Sequence, residues 1–143
     1  MRKAQISFDF LAIVIFAFMI FLAMFEAYAI EGSSARIRES MASATRIASN
    51  VARTINEVCK ENGTTASITI PESLDTSDSY YLSIVASGRR VEVFWPISSQ
   101  NRSVAVPILT SNINVFNLSK TASSSISNLT ISNINGSITV SGG

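Results

Sequence analysis

Glu72, Asp75 and Asp78 fall within seven positions and are interleaved with Ser73, Thr76 and Ser77. Clustered oxygen donors of this kind suit a calcium ion. The stretch nevertheless has neither the ligand spacing of a calcium loop nor the glycine that turns one, so a solvated loop is the expectation. The chain contains no histidine and a single cysteine, Cys59. Zinc and haem ligation and Ser-His-Asp catalysis therefore lose their usual ligands and bases. Carboxylates and hydroxyls remain, and the expectation is a protein with no catalytic residues, no metal and no cofactor. A membrane-anchored hydrolase working through carboxylates is the weakest reading. Cys59 has no partner for an intramolecular disulfide and reads as a small buried hydrophobe near a helix end; pairing between chains is the alternative.

Two further groups of residues invite chemistry of another sort. Five sequons occur, at Asn62, Asn101, Asn117, Asn128 and Asn135, each followed two positions later by Ser or Thr. They are candidate N-glycosylation sites, although Asn-rich turns in a Ser-rich segment also create sequons by accident. The aromatics Tyr80, Tyr81, Phe94 and Trp95 could form a platform for sugar, yet Tyr80 and Trp95 are turned to the core, and Tyr81 and Phe94 on the other face remain candidates for contact with a neighbouring copy or with the helix.

The 143 residues carry 11 Lys plus Arg against 10 Asp plus Glu, so there is no net field with which to hold a nucleic acid. Charged residues make up 15% of the chain and hydrophobic ones 47%, where a soluble domain usually has about 25% charged. Those averages combine three unlike segments.

Residues 10–25 are apolar without interruption, and the stretch reaches Ile30 if Glu26 is admitted. At 1.5 Å per residue the longer stretch spans about 32 Å, the thickness of a bilayer core. A domain this small could not bury a helix that is apolar on every side, which predicts a membrane span over about 10–30. From Ile30 to Val58 the pattern becomes amphipathic. Ile30, Ile37, Met41, Ala44, Ala48, Val51, Ile55 and Val58 form a seam, spaced alternately by four and three once Ser34 fills the gap. Glu39, Arg46, Arg53 and Lys60 fall on the opposite face. No proline precedes Pro71, so one helix over about 5–61 is expected, with Gly32 its weak point and Asn62-Gly63 its end.

Beyond Gly63 the apolar period drops to two. A turn at Ser87-Gly88 would set Leu82 and Ile84 opposite Val93 and Val91, and one at Asn135-Gly136 would set Ile131 opposite Val140. Further strands are expected near 66–70, 104–109 and 113–118, with Pro107 at an edge or bulge. The fold class is α+β: a long N-terminal helix followed, over 62–143, by a small antiparallel β-sandwich-like head.

The residues ahead of the apolar run give the sharpest signal. Arg2 and Lys3 are followed by small Ala4, then Gln5, Ser7, Asp9 and Phe10. A secretory signal peptide is cut after its hydrophobic region, whereas here the small residue and polar cluster come before it. The arrangement resembles the class III signal peptide of archaeal type IV pilin-like proteins: small residue, Gln, any, Ser, any, Glu, Phe, then a long apolar helix. Ala4, Gln5, Ser7 and Phe10 match, and Asp9 stands where Glu is usual.

The resemblance implies a structural subunit whose leader, residues 1–4, is cut off at Ala4-Gln5 by a membrane-embedded prepilin peptidase. It implies that the apolar helix is retained and that copies polymerise through it, with Asp9 and the seam taking part. An assembly ATPase and a membrane platform protein are the implied partners, with the bilayer and further copies of the chain. Arg2 and Lys3 before the span, against Arg36 and Arg38 after it, bias the N-terminus only slightly to the cytoplasmic side. The head and the finished filament would lie outside the cell. The alternative is a single-span surface protein with a lectin-like or solute-binding head that does not polymerise.

Overall fold

The computed structural model describes residues 2–97, 100–116 and 128–142. Its first element, α1, is a helix over Arg2–Val58. The helical assignment runs unbroken through Gly32, Ser33 and Ser34. Ser33 Oγ donates back to the Ile30 carbonyl at 2.8 Å, so its hydroxyl is satisfied within the helix. By compactness the chain divides inside this helix, into Met1–Arg36 and Ile37–Gly143.

Seven strands follow among the described residues: β1 (Thr65–Thr69), β2 (Tyr81–Val85), β3 (Arg90–Ile97), β4 (Gln100–Pro107), β5 (Ile113–Phe116), β6 (Asn128–Ile134) and β7 (Ser137–Gly142). They form two sheets, β1-β6-β7-β5 and β2-β3-β4. Both expected hairpin registers are present. Leu82 pairs with Val93 and Ile84 with Val91, and Ile131 pairs with Val140. Asn135 and Gly136 take φ of 53° and 80°, the left-handed pair that a tight two-residue hairpin requires. Pro107 ends β4, an edge strand whose missing N–H interrupts no ladder inside the sheet.

Two features depart from expectation: α1 ends at Val58, before the expected residue 61, and one strand pairing is parallel. β5 pairs with β7 in parallel, matching Ile113 with Ile138 and Val115 with Val140, so the head is antiparallel-rich rather than wholly antiparallel. A parallel neighbour needs a long connection, and the twenty residues between β5 and β7, β6 among them, supply it. The expected end of β5, at Asn117 and Leu118, lies outside the described residues.

The core is a single cluster to which α1 and both sheets contribute. Ala44, Ala48, Val51, Ile55 and Val58 come from the helix, Leu82, Val91, Val93 and Trp95 from one sheet, and Leu129, Ile131, Ile138 and Val140 from the other. Tyr80 is fully buried, its hydroxyl donating to the Pro71 carbonyl at 2.5 Å, and burial pushes its phenol above the usual tyrosine range. The Trp95 indole Nε1 is the one buried side-chain polar atom without a hydrogen-bond partner among the described residues.

The end of α1 is held by a strand residue. The last carbonyls of a helix lack partners within it. Asn133 of β6, 3% exposed, donates from Nδ2 to the carbonyls of Val58 and Glu61, both at 3.1 Å, with that of Cys59 at 3.4 Å. Its Oδ1 accepts from the Gly136 N–H at 3.0 Å, and its own carbonyl accepts from the Gly63 N–H at 2.8 Å. One amide thus joins the helix end to the β6–β7 turn. Asn133→Asp keeps the size but replaces both amide donors with a carboxylate facing carbonyl oxygens. Loss of such bonds at a buried site costs about 2–4 kcal/mol. Urea unfolding of a soluble fragment beginning at Ile37 should show a lowered midpoint with an unchanged slope; an unchanged midpoint would show that the clamp contributes nothing.

Candidate assembly surface

The apolar part of α1 is uncovered on all sides. Phe10, Ile13, Phe16, Phe18, Met19, Phe21, Met24 and Phe25 all stand exposed. An apolar surface of this extent exceeds the few hundred Å² that soluble monomers leave open, and lipid or protein must cover it. The helix is long and apolar enough to cross a membrane, and it fits a membrane-anchored protein. Of the residues ahead of it, Asp9 and Phe10 are exposed. The backbone is helical through Ala4, Gln5 and Ser7, whose side chains lie outside those described.

The second half of the helix is covered on one face. Ala44, Ala48, Val51, Ile55 and Val58 of the expected seam are buried and Ile37 is half-buried, while Met41 and Ile30 stand exposed at 53% and 64%. The buried stripe continues instead through Ile47, Ser43 and Ser40. The two serines receive the loop between β1 and β2. Ser43 Oγ accepts the Asp75 backbone N–H at 3.2 Å, and Ser40 Oγ lies 2.9 Å from Thr76 Oγ1 and donates to Asp78 Oδ2 at 3.2 Å. Thr76 Oγ1 also donates to Asp78 Oδ2, at 2.7 Å.

The acidic loop is therefore engaged with the helix. Asp78 takes hydroxyl donors, and Asp75 accepts both its Oδ1 and Oδ2 bonds from Arg46 at 2.9 and 3.0 Å. Glu72 is exposed. Among the described residues no group of carboxylates, histidines and cysteines is placed to hold a metal ion. Arg53, Glu39 and Lys60 are exposed, but Arg46 anchors the loop as well as facing water. Cys59 is half-buried against the core. A groove of about 220 Å³ separates the helix at Arg46, Asn50 and Arg53 from the end of β1 at Ile68 and Ile70.

Sequence reasoning missed Ser40, Ser43 and Asn133. Serine and asparagine are ordinarily surface or turn residues, and no spacing marks a buried one.

Of the sequons, Asn62, Asn101, Asn128 and Asn135 are exposed, and Asn117 lies outside the described residues. Asn62 Oδ1 accepts the Asn135 N–H at 2.7 Å, and Asn128 Oδ1 accepts from Thr69 Oγ1 at 2.9 Å. Tyr80 and Trp95 are buried, while Tyr81 and Phe94 face each other on the opposite side of their sheet. No family model matches the chain, and no curated protein or solved structure matches it either.

The two faces of the helix predict different responses to charge. Val51→Asp places a carboxylate in the core and should abolish folding of the head, a cost of several kcal/mol. Arg46→Glu exchanges an exposed attraction for a repulsion from Asp75 and should cost about 1 kcal/mol, recovered in Arg46→Glu with Asp75→Arg. Thermal melts of the three variants check this, and equal damage from Val51→Asp and Arg46→Glu would contradict the assignment of faces.

Proposed function

We propose that the chain is a pilin-like structural subunit, inserted in the membrane by its apolar helix and assembled through that same helix into a type IV pilus-like surface filament. The observation that carries this reading is an apolar helix exposed on every side, preceded by Ala4, Gln5, Ser7, Asp9 and Phe10 in the order of a class III signal peptide. Cutting at Ala4-Gln5 removes the positive leader and leaves the apolar helix in place. The surface that holds the monomer in lipid is then free to be buried against other copies. Lipid tails are as apolar as Leu, so side-chain packing, rather than escape from water, favours the exchange. Work from an assembly ATPase, transmitted by a membrane platform protein, moves the subunit out of the bilayer. In this reading the N-terminus begins in the cytoplasm and the β-rich head lies outside the cell.

Asp9 has a defined task in this scheme. A carboxylate at the head of an apolar run carries a large desolvation cost once copies close around it. Cleavage before Gln5 creates an α-amine four residues away, able to pair with Asp9 in its own chain or in the next and so set the axial register. A role in capping the positive end of the helix would be independent of assembly.

Intact-mass measurement on the membrane-extracted protein should show loss of residues 1–4, and a mass retaining them, or a cut near Ala29, would remove the pilin reading. Asp9→Ala should leave the processed monomer in the membrane and sharply reduce surface filaments counted by electron microscopy, while Asp9→Glu should support them. Filaments at normal number in the Ala variant would return Asp9 to a capping role.

A further inference from the structure

The sheet β2-β3-β4 has one face in the core, carrying Leu82, Val91, Val93 and Trp95, and one face outside it. Register fixes what the outer face holds. Tyr81 pairs with Phe94 and Phe94 with Ser103, which makes one row, and Pro96 pairs with Asn101 in the next row. Tyr81 is 44% exposed, Phe94 is half-buried, and Pro96, Asn101 and Ser103 are exposed. Aromatic rings are thus left partly uncovered on a sheet face, and two residues of one sequon, Asn101 and Ser103, stand beside them.

Directly opposed side chains in a sheet have Cβ atoms about 4.5–5.5 Å apart and diagonal ones about 7–8 Å. Asn101 is directly opposite Pro96 and diagonal to Phe94, with Tyr81 one strand further on. The first ring of an Asn-linked sugar hangs at about that distance from its Cβ, and a second ring reaches one strand beyond. One face of a pyranose is lined by C–H bonds, and the negative face of an aromatic ring attracts such weakly positive edges. Among the described residues β4 is an edge strand, so none of them forms a further strand on the outer side of Asn101 to block attachment.

We propose that Asn101 is N-glycosylated and that the first sugars of its glycan lie over Pro96, Phe94 and Tyr81, covering this face of the head with carbohydrate. The donor is a lipid-phosphate-linked oligosaccharide. Its sugar C1–O bond breaks with the electron pair leaving on the phosphate, Asn101 Nδ2 yields a proton to the transferase base, and the C1–Nδ2 bond forms. The remaining described sequons lack this setting. Asn128 and Thr130 share their face with Thr65, Ser67 and Thr69, a row of hydroxyls. Asn62 and Asn135 sit in turns rather than on a sheet face, with Asn62 Oδ1 accepting the Asn135 backbone N–H. The proposal rests on the extracellular placement of the head in the reading above.

Glycopeptide mass spectrometry of the protein purified from its own membrane should find sugar on the peptide carrying Asn101, absent in Asn101→Gln and in Ser103→Ala. Each of those variants should melt about 3 °C below the glycosylated parent, a shift of the size that weak ring contacts produce in a domain this small. In a Tyr81→Ser, Phe94→Ser background the same substitutions should produce no shift. An unmodified Asn101, or an equal shift in both backgrounds, overturns the proposal. Sugar at other sequons but not at Asn101, or at none, overturns the proposal alone, whereas a head that antibody added to intact cells does not reach overturns its outward placement as well.

Discussion

Neither sheet of the head can cover its own apolar face, and the stripe of α1 from Ala44 to Val58 completes the core that both share. Small residues make this closure feasible. Ser40, Ser43, Ala44, Ala48 and Ala52 keep the helix surface low, so strands and the 71–79 loop can approach its backbone, while Ile47, Val51, Ile55 and Val58 supply the bulk. The helix end then has to be fixed. Asn133 does so by giving its amide to the carbonyls of Val58 and Glu61 at that end, and the same residue positions the β6–β7 turn. Removing the helix would open the core of both sheets at once.

One helix thus carries two apolar surfaces of different character. In its second half the apolar and small residues are confined to a stripe, and the partner for that stripe is the head of the same chain. In its first half they cover the whole circumference and stand exposed. A stripe specifies one partner and one orientation. A surface apolar all round instead accepts lipid, and it accepts neighbouring copies equally well, as the proposed assembly requires. Loop contacts to Ser40 and Ser43 lie at the N-terminal end of the stripe and extend the head's hold on the helix beyond Ala44.

Much of this was legible in the residues. The apolar run and both hairpin registers follow from rules in which a single residue type decides the outcome: a period of two, and turns that admit few residues. The seam was legible from Val58 back to Ala44 and failed at Met41. A repeat of alternating threes and fours advances 3.5 residues per turn, whereas a straight helix advances 3.6, so the two faces diverge with distance. Counting back from Val58 by 3.6 reaches Ser40 after five turns, and Met41, next along the chain, is turned to solvent. Ser40 also read as polar, which hid it from any hydrophobic pattern. The parallel pairing of β5 with β7 left no local trace, since Ile113 and Val115 would suit either strand direction. Asn133 resembled the turn asparagines around it, and its role depends on carbonyls more than seventy residues away in sequence.

Electron cryomicroscopy of surface filaments, with mass spectrometry identifying their subunits, tests the central claim most directly. The account predicts filaments built of this chain beginning at Gln5, with residues 10–30 of neighbouring copies packed together at the axis and the β-rich heads on the outside. Filaments lacking the chain, with the protein found solely in the membrane and its apolar helix in contact with lipid alone, would contradict it.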